Sequence, residues 1–325
     1  MESLDLKKNI LWRLQHYITL IAILLIFIIF TVITPRFIQP ANLLLILKNM
    51  SPLLIQALGL TLVFVIGEID LSIGVIATIG SAFCLGFMSK GLPIFVAIIL
   101  TLLMGVLLGG LNGFFVGYLH FPSTITTLGT KLLFTGIVVT YTKGMNITNN
   151  IPLSFVKFGK SSVFGISTLI ILSLAIFLIL HLLMTRTKSS YHLYVAGTND
   201  MITRTLGLNP NLLKLNAFMF AGVLAVMGGI FTSMMTGVYF PSAAAGVYLM
   251  DSIAAVLIGK TIIKDGQPHI LGTFFGVLLI SIVRNGITIL GLALEYQYII
   301  VGVVFIGSLI TEAIFRKRLS EETYG

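Results

Sequence analysis

The sequence predicts an all-α integral membrane protein of about ten transmembrane helices, and three observations predict it. Hydrophobic residues make up 57% of the 325 and charged residues only 10%, with a mean hydropathy of +1.07. A water-soluble domain carries roughly a quarter charged residues, so a chain this apolar needs a solvent that is itself apolar. Apolar runs of spanning length recur from end to end. The cations sit beside and between those runs, so the net charge of +9 reads as positive-inside bias and not as a nucleic-acid footprint. No nucleic-acid partner is expected. The one cysteine, Cys84, lies in an apolar run and reads as a small buried hydrophobe.

A span needs about 20 mostly apolar residues. The first candidate, 17–33, follows Lys7, Lys8 and Arg13 as a signal peptide would. It runs into Thr34-Pro35-Arg36 with no small-residue cleavage site, so it reads as a retained first span. Runs 51–67 and 73–89 form a broken helix pair, interrupted by Gly67-Glu68-Ile69-Asp70-Leu71-Ser72. Runs 94–118, 122–142 and 163–184 follow. The segment of about 185–211 is polar enough to leave the membrane, and its Gly207 and Pro210 supply helix-stop signals for one short external helix. The remaining runs are 212–236, a short one at 248–260 with Asp251 near its start, 268–290 and 296–315. With ten spans and the N-terminus inside, twelve cations, Arg186, Lys188 and Arg204 among them, fall on the inner side and six, such as Lys90 and Lys157, on the outer. Both termini are therefore expected in the cytoplasm.

Several constellations carry possible chemistry. Gly105, Gly109, Gly113 and Gly117 recur every four residues, which puts them on one stripe of a helix that another backbone can approach closely. Gly272 and Gly276 repeat the pattern. Glu68 and Asp70 interrupt two membrane runs. They read either as pathway-lining carboxylates at a broken helix or as a hinge whose Asp70 or Ser72 caps the next helix. Lys131 sits mid-span and is either paired or snorkelling; Asp251 and Arg284-Asn285 raise the same question. The histidines, at 16, 120, 181, 192 and 269, show no ligand spacing, so no metal site is expected. Ala254 to Gly259-Lys260-Thr261 fits a loosened phosphate-loop pattern, but its loop positions are Ala255, Val256, Leu257 and Ile258 inside an apolar run. A phosphate cradle needs flexible, amide-presenting glycines, so this chain is expected to bind no cofactor and no nucleotide itself.

Longer strings then carry a resemblance. Gly67-Glu68-Ile69-Asp70-Leu71-Ser72-Ile73-Gly74 stands at the break. Pro122 precedes Thr127-Leu128-Gly129, and Tyr194-Val195-Ala196-Gly197-Thr198-Asn199-Asp200 precedes Arg204 and Gly207-Leu208. Asp251-Ser252-Ile253-Ala254-Ala255-Val256 leads to Gly259, and Leu271-Gly272-Thr273, Asn285-Gly286 and Tyr296-Gln297 follow. In these blocks the chain resembles, from about residue 40 to 315, the ribose-type permeases: membrane subunits of bacterial ATP-binding-cassette (ABC) importers for pentoses, hexoses and related sugar signals.

The resemblance implies a single permease domain with repeat-like halves at about 51–142 and 212–315. It implies a coupling helix at 199–208 that docks on a separate ATPase subunit, with Asn199, Asp200, Arg204 and Gly207 in that contact. ATP and Mg would lie on the ATPase subunits. A second permease subunit and an extracytoplasmic solute-binding protein would complete the importer, with Glu68, Asp70, Ser72, Lys131, Asp251 and Asn285 as candidate pathway residues. Asp200 stands where family members usually carry Glu, and Gly259-Lys260 where they carry Gly-Gly, departures that favour a partner permease of different sequence. Two other readings stay open: an ion-gradient-driven transporter using Glu68 and Asp70 as proton carriers, and an ABC permease for nucleosides or branched-chain amino acids.

Overall fold

The computed structural model describes residues 18–241, 244–261 and 266–293, and of the segment beyond them 296–297, 299–303, 306–307 and 310. The N-terminal cations, Lys264 and Asp265, and much of the expected span 296–315 lie outside the described residues. The chain is helical nearly throughout. α1 is Ile18–Ile33, α2 Pro40–Val65, α3 Ile73–Ser89, α4 Ile94–Gly117 and α5 Ser123–Thr142. A short α6, Leu153–Lys160, precedes a two-stranded antiparallel hairpin of β1, Ser162–Val163, and β2, Ile166–Ser167. Then come α7, Thr168–Arg186, α8, Lys188–Thr198, α9, Asp200–Thr205, α10, Pro210–Thr236, α11, Ala244–Lys260, and α12, Ile270–Ile289.

Proline sets many of these starts. Pro93, Pro122 and Pro152 stand immediately before α4, α5 and α6. Pro40 and Pro210 open α2 and α10, where a missing N–H removes no helical hydrogen bond. Among the described residues, six helices are long and apolar enough to cross a membrane: α2, α4, α5, α7, α10 and α12. α3 and most of α1 are shorter apolar helices.

Three expected boundaries differ from those observed. α2 begins well before residue 51, because Lys48 and Pro52 lie inside the helix instead of marking its edge. The run read as 163–184 loses its first residues to the hairpin, so α7 starts at Thr168. The segment 185–211 holds two helices, α8 and α9, in place of one, because Asn199 is extended and its side chain caps a new start by accepting from Met201 N at 2.7 Å.

The chain divides into two compact units, residues 48–252 and residues 1–47 with 253–325. In the first, α10 packs along α4 and α3. The α4 glycine stripe makes this possible. A Cβ at Gly105 would sit 2.8 Å from the Gly222 carbonyl, at Gly113 2.8 Å from Leu215 Cα, and at Gly117 2.7 Å from the Asn211 carbonyl; at Gly109 it would overlap the Phe218 carbonyl. Backbones meet here without side chains between them, which is how membrane helices gain packing energy where lipid offers no hydrophobic drive. The opposite side of α4 leaves Phe95 and Leu107 exposed, and α5 likewise exposes Ile125 and Leu132, as lipid-facing surfaces do.

In the other unit α12 packs on α1, with the Phe30 ring over Gly286 and stacked on Phe37 at 5.3 Å. Gly272 and Gly276 lie against the Gly259 and Ala255 backbone of α11. His269 caps α12, its Nδ1 accepting from Gly272 N at 3.0 Å.

Candidate functional site

The chain leaves α2 at Val65 and turns through Gly67, whose φ of +77° suits glycine, before α3 begins at Ile73. A turn this close to membrane depth must satisfy its backbone from other elements, and side chains of α5 do so. Ile69 N donates to Ser123 Oγ at 3.2 Å and Leu71 N to Thr127 Oγ1 at 3.0 Å. Asp70 is fully buried. Its Oδ1 accepts from Ser72 N at 2.7 Å and Ser72 Oγ at 2.6 Å, and Ser72 Oγ accepts from Asn112 of α4 at 2.8 Å. Asp70 thus closes an Asx-type turn onto Ser72, the residue before α3, and Ser72 itself is in the αR region and makes no side-chain cap bond.

Glu68 points the other way. Its Oε1 lies 3.0 Å from Lys214 Nζ, near the start of α10, and the same ammonium lies 3.3 Å from Asp200 Oδ2, the first residue of α9. One cation therefore bridges the broken-helix turn and the short external helix. Beside this clamp, Gly67 and Gly197 touch through their backbones. A Cβ at Gly67 would stand 2.9 Å from the Gly197 carbonyl, and one at Gly197 would overlap the Val65 carbonyl. The turn between α2 and α3 and the α8–α9 segment thus meet at one end of their unit.

α9 is a single short helix. Its Thr203 is buried, whereas Met201, Ile202 and Leu206 are exposed. Among the described residues Arg204 reaches Asn211 Oδ1 of α10, at 3.5 Å on the surface, and Gly207 ends the segment at φ +76°. Burial pushes the Tyr194 phenol of α8 up to about 12.

Of the residues singled out in the sequence, the structure brings Glu68 together with Asp200, and Asp70 with Ser72. Asn285 stands apart, in the unit of residues 1–47 and 253–325, where it exchanges reciprocal amide bonds of 2.9 and 3.0 Å with Asn42. Asp251 is buried in α11. Lys131 is half-buried in α5 and forms no ion pair among the described residues. Sequence reasoning missed Lys214 as a site residue, and Asn112, Ser123 and Asn42 altogether. Local spacing carries no signal for such partners. A weak one existed for Lys214, a cation only four residues inside an apolar helix.

Comparison with known proteins sets this geometry in a family. Residues 42–309 match the family described as branched-chain amino acid transport system / permease component. The ribose import permease protein RbsC of Haemophilus influenzae is 32% identical over 296 residues, covering 90% of this chain and 91% of that protein. RbsC of Bacillus subtilis is 32% identical over 288 residues, 88% and 89% of the two chains. The autoinducer 2 import system permease protein LsrC of Photorhabdus laumondii is 27% identical over 309 residues, 94% and 92%. A solved structure described as a metal-chelate type ABC transporter, in an inward-facing conformation, shares the fold with a TM-score of 0.50 at 16% identity, covering 90% of this chain and 98% of that one. The chain belongs to the family of branched-chain amino acid transport system permease components, and it is a membrane-spanning permease subunit of a bacterial ABC importer, from a subunit family that lacks an ATPase domain.

Proposed function

We propose that this permease moves a sugar-like solute of the ribose or autoinducer 2 type into the cytoplasm by alternating access, and that α9 is its dock for a separate ATPase subunit. The Lys214 bridge carries the reading: a cation held by both Glu68 and Asp200 ties the external helix to the turn that starts α3. The exposed Met201, Ile202 and Leu206 give α9 the apolar face that a partner groove takes up. Asn199 and Asp200 begin the helix, and Arg204 and Gly207 bound its far end.

In this reading both termini, the turn at 66–72 and α8–α9 lie on the cytoplasmic side of the bacterial inner membrane, and α6 with the hairpin lies outside. The solute arrives from an extracytoplasmic binding protein, and ATP and Mg stay on the ATPase subunits. A second permease subunit completes the pathway. The departures from family pattern at Asp200 and Lys260 favour a partner of different sequence. Asp70, Ser72, Lys131, Asp251 and Asn285 remain pathway or hinge candidates. Glu68 is committed to the ion pair with Lys214 at 3.0 Å, which supports a structural role for it at the turn.

The test is purification of the tagged chain from its native membrane in mild detergent, with mass spectrometry of what accompanies it. An ATPase subunit is expected, lost from the Arg204→Glu variant and from Gly207→Val, together with a second permease sequence. An ATPase subunit that stays with both variants overturns the assignment of α9 as the dock.

A further inference from the structure

α7 is the least buried of the six spans among the described residues. Its exposed apolar residues Ile171, Leu174, Leu178 and Leu182 follow one another at three- and four-residue steps, so they form one stripe along the helix. Such a stripe on a membrane span lies against lipid acyl chains. Arg186 is the next position on the same stripe, one turn beyond Leu182, and it is the last residue of α7. The helix has 19 residues, about 28 Å at 1.5 Å per residue, close to the hydrocarbon core of about 30 Å. The exposed Arg186 side chain therefore leaves the stripe at the depth of the lipid headgroups.

A second cation stands beside it. Lys188, also exposed, opens α8 after the extended Thr187, and Tyr191, one turn on, is 62% exposed, as aromatic rings with a polar tip are at the membrane interface. Neither Arg186 nor Lys188 forms an ion pair among the described residues. No Asp or Glu occurs anywhere between Asp70 and Asp200 in the sequence. Of the described carboxylates, Glu68 and Asp200 hold Lys214, and Asp70 and Asp251 are buried. The corner is also stiff. Thr187 Oγ1 donates to the Leu183 carbonyl at 2.7 Å, and the buried Ser190 hydroxyl donates to that of Met184. Both bonds pin α8 to the end of α7, and the far end of α8 is Gly197, in backbone contact with the turn at 65–67.

We infer that the α7–α8 corner is a binding site for an anionic phospholipid of the cytoplasmic leaflet, its chains along the α7 stripe and its phosphate on Arg186 and Lys188, and that the bound lipid steadies α8 against the turn that starts α3. A guanidinium presents a planar fork that matches phosphate oxygens, and juxtamembrane cations are drawn to the negative cytoplasmic leaflet. A zwitterionic headgroup brings its own ammonium, which two cations repel, so the site favours a lipid of net negative charge. The inference rests on the cytoplasmic placement of α8–α9 and adds a ligand to it.

The test titrates phosphatidylglycerol, with phosphatidylcholine as control, onto the purified importer complex and reads lipid adducts by native mass spectrometry. The wild type is expected to hold phosphatidylglycerol in preference. Arg186→Gln with Lys188→Gln should bind it about thirtyfold more weakly, each juxtamembrane cation contributing about fivefold. Arg186→Lys with Lys188→Arg keeps both charges and should stay within about threefold of the wild type. Amide exchange over 191–197 should slow with phosphatidylglycerol and not with glycerol 3-phosphate, the headgroup without chains. Equal retention of the two lipids, or retention unchanged in the glutamine pair, overturns the site. Protection by glycerol 3-phosphate alone makes it a free-anion site and overturns the lipid assignment. Loss of the ATPase subunit from the glutamine pair with its lipid kept assigns these cations to the ATPase contact and likewise overturns it. The α9 dock is judged separately: an ATPase subunit that stays with Arg204→Glu removes the dock and leaves the lipid titration to decide the corner.

Discussion

Lys214 is one charge facing two. Glu68 and Asp200 both lean on its ammonium, and the Lys214 and Glu68 side chains are only 13% and 17% exposed, so removing the cation strands a mostly buried carboxylate. Lys214→Met is expected to destabilise the purified permease by about 2 kcal/mol, the range of a hydrogen bond to a charged group, read from thermal unfolding in detergent. Adding Glu68→Gln should recover about half of that, since contacting residues are energetically coupled. Additive losses would show that the pair does not interact. The Asn42–Asn285 pair predicts a smaller effect. Asn285→Leu should cost about 1 kcal/mol, because interhelical polar pairs in membranes are worth about 0.6 kcal/mol on average. At this scale the sequence was half legible. Glu68 and Asp70 stood out because carboxylates are conspicuous among apolar residues. Their surroundings did not, because Lys214 reaches Glu68, Ser123 the Ile69 amide and Asn112 the Ser72 hydroxyl only once distant helices are packed together.

Helices were more legible than contacts, for a physical reason: twenty apolar residues announce a span without help from their surroundings. The errors came where polar residues sit inside a helix. The run read as 51–67 left Lys48 outside, yet α2 runs through both Lys48 and Pro52. Asn199 looked like part of one external helix and instead separates two. The four-residue glycine repeat was readable as a packing face, and only the structure names α10 as its neighbour. That contact makes a sharp prediction from adjacent residues. Gly109→Val drives a side chain into the Phe218 carbonyl and should cost at least about 3 kcal/mol, seen as loss of monodisperse protein in detergent. At Gly110 a Cβ meets only the flexible Met219 side chain at 3.4 Å, so Gly110→Ala should lie within about 0.5 kcal/mol of the parent. On α9, Met201→Asp changes an exposed position. It should leave the fold intact and abolish co-purification of the ATPase subunit.

For the whole molecule, the distribution of loop cations predicts sidedness, and the single cysteine makes that testable. Cys84 is buried and can be replaced by alanine. In that background Ser161→Cys, in the exposed segment before the hairpin, should react with a membrane-impermeant maleimide on intact cells. Thr198→Cys, at the end of α8, should react only after permeabilisation. The opposite pattern would invert the assigned orientation. Membrane class and family were legible because both are written in composition and in contiguous strings. The same strings carried the sugar class of the solute, but not the contacts between helices, which leave no mark on any one stretch.

The contact of Gly197 with Gly67 and Val65 has a mechanical consequence. Two backbone segments, 65–67 and Gly197, meet there with no side chain between them, so there is nothing soft to compress when α8 is pushed. If α8–α9 receives the ATPase, a linkage of that kind would have no backlash between it and the head of α3, whereas a methyl group at Gly197, with the Val65 carbonyl in its place, would force the parts apart.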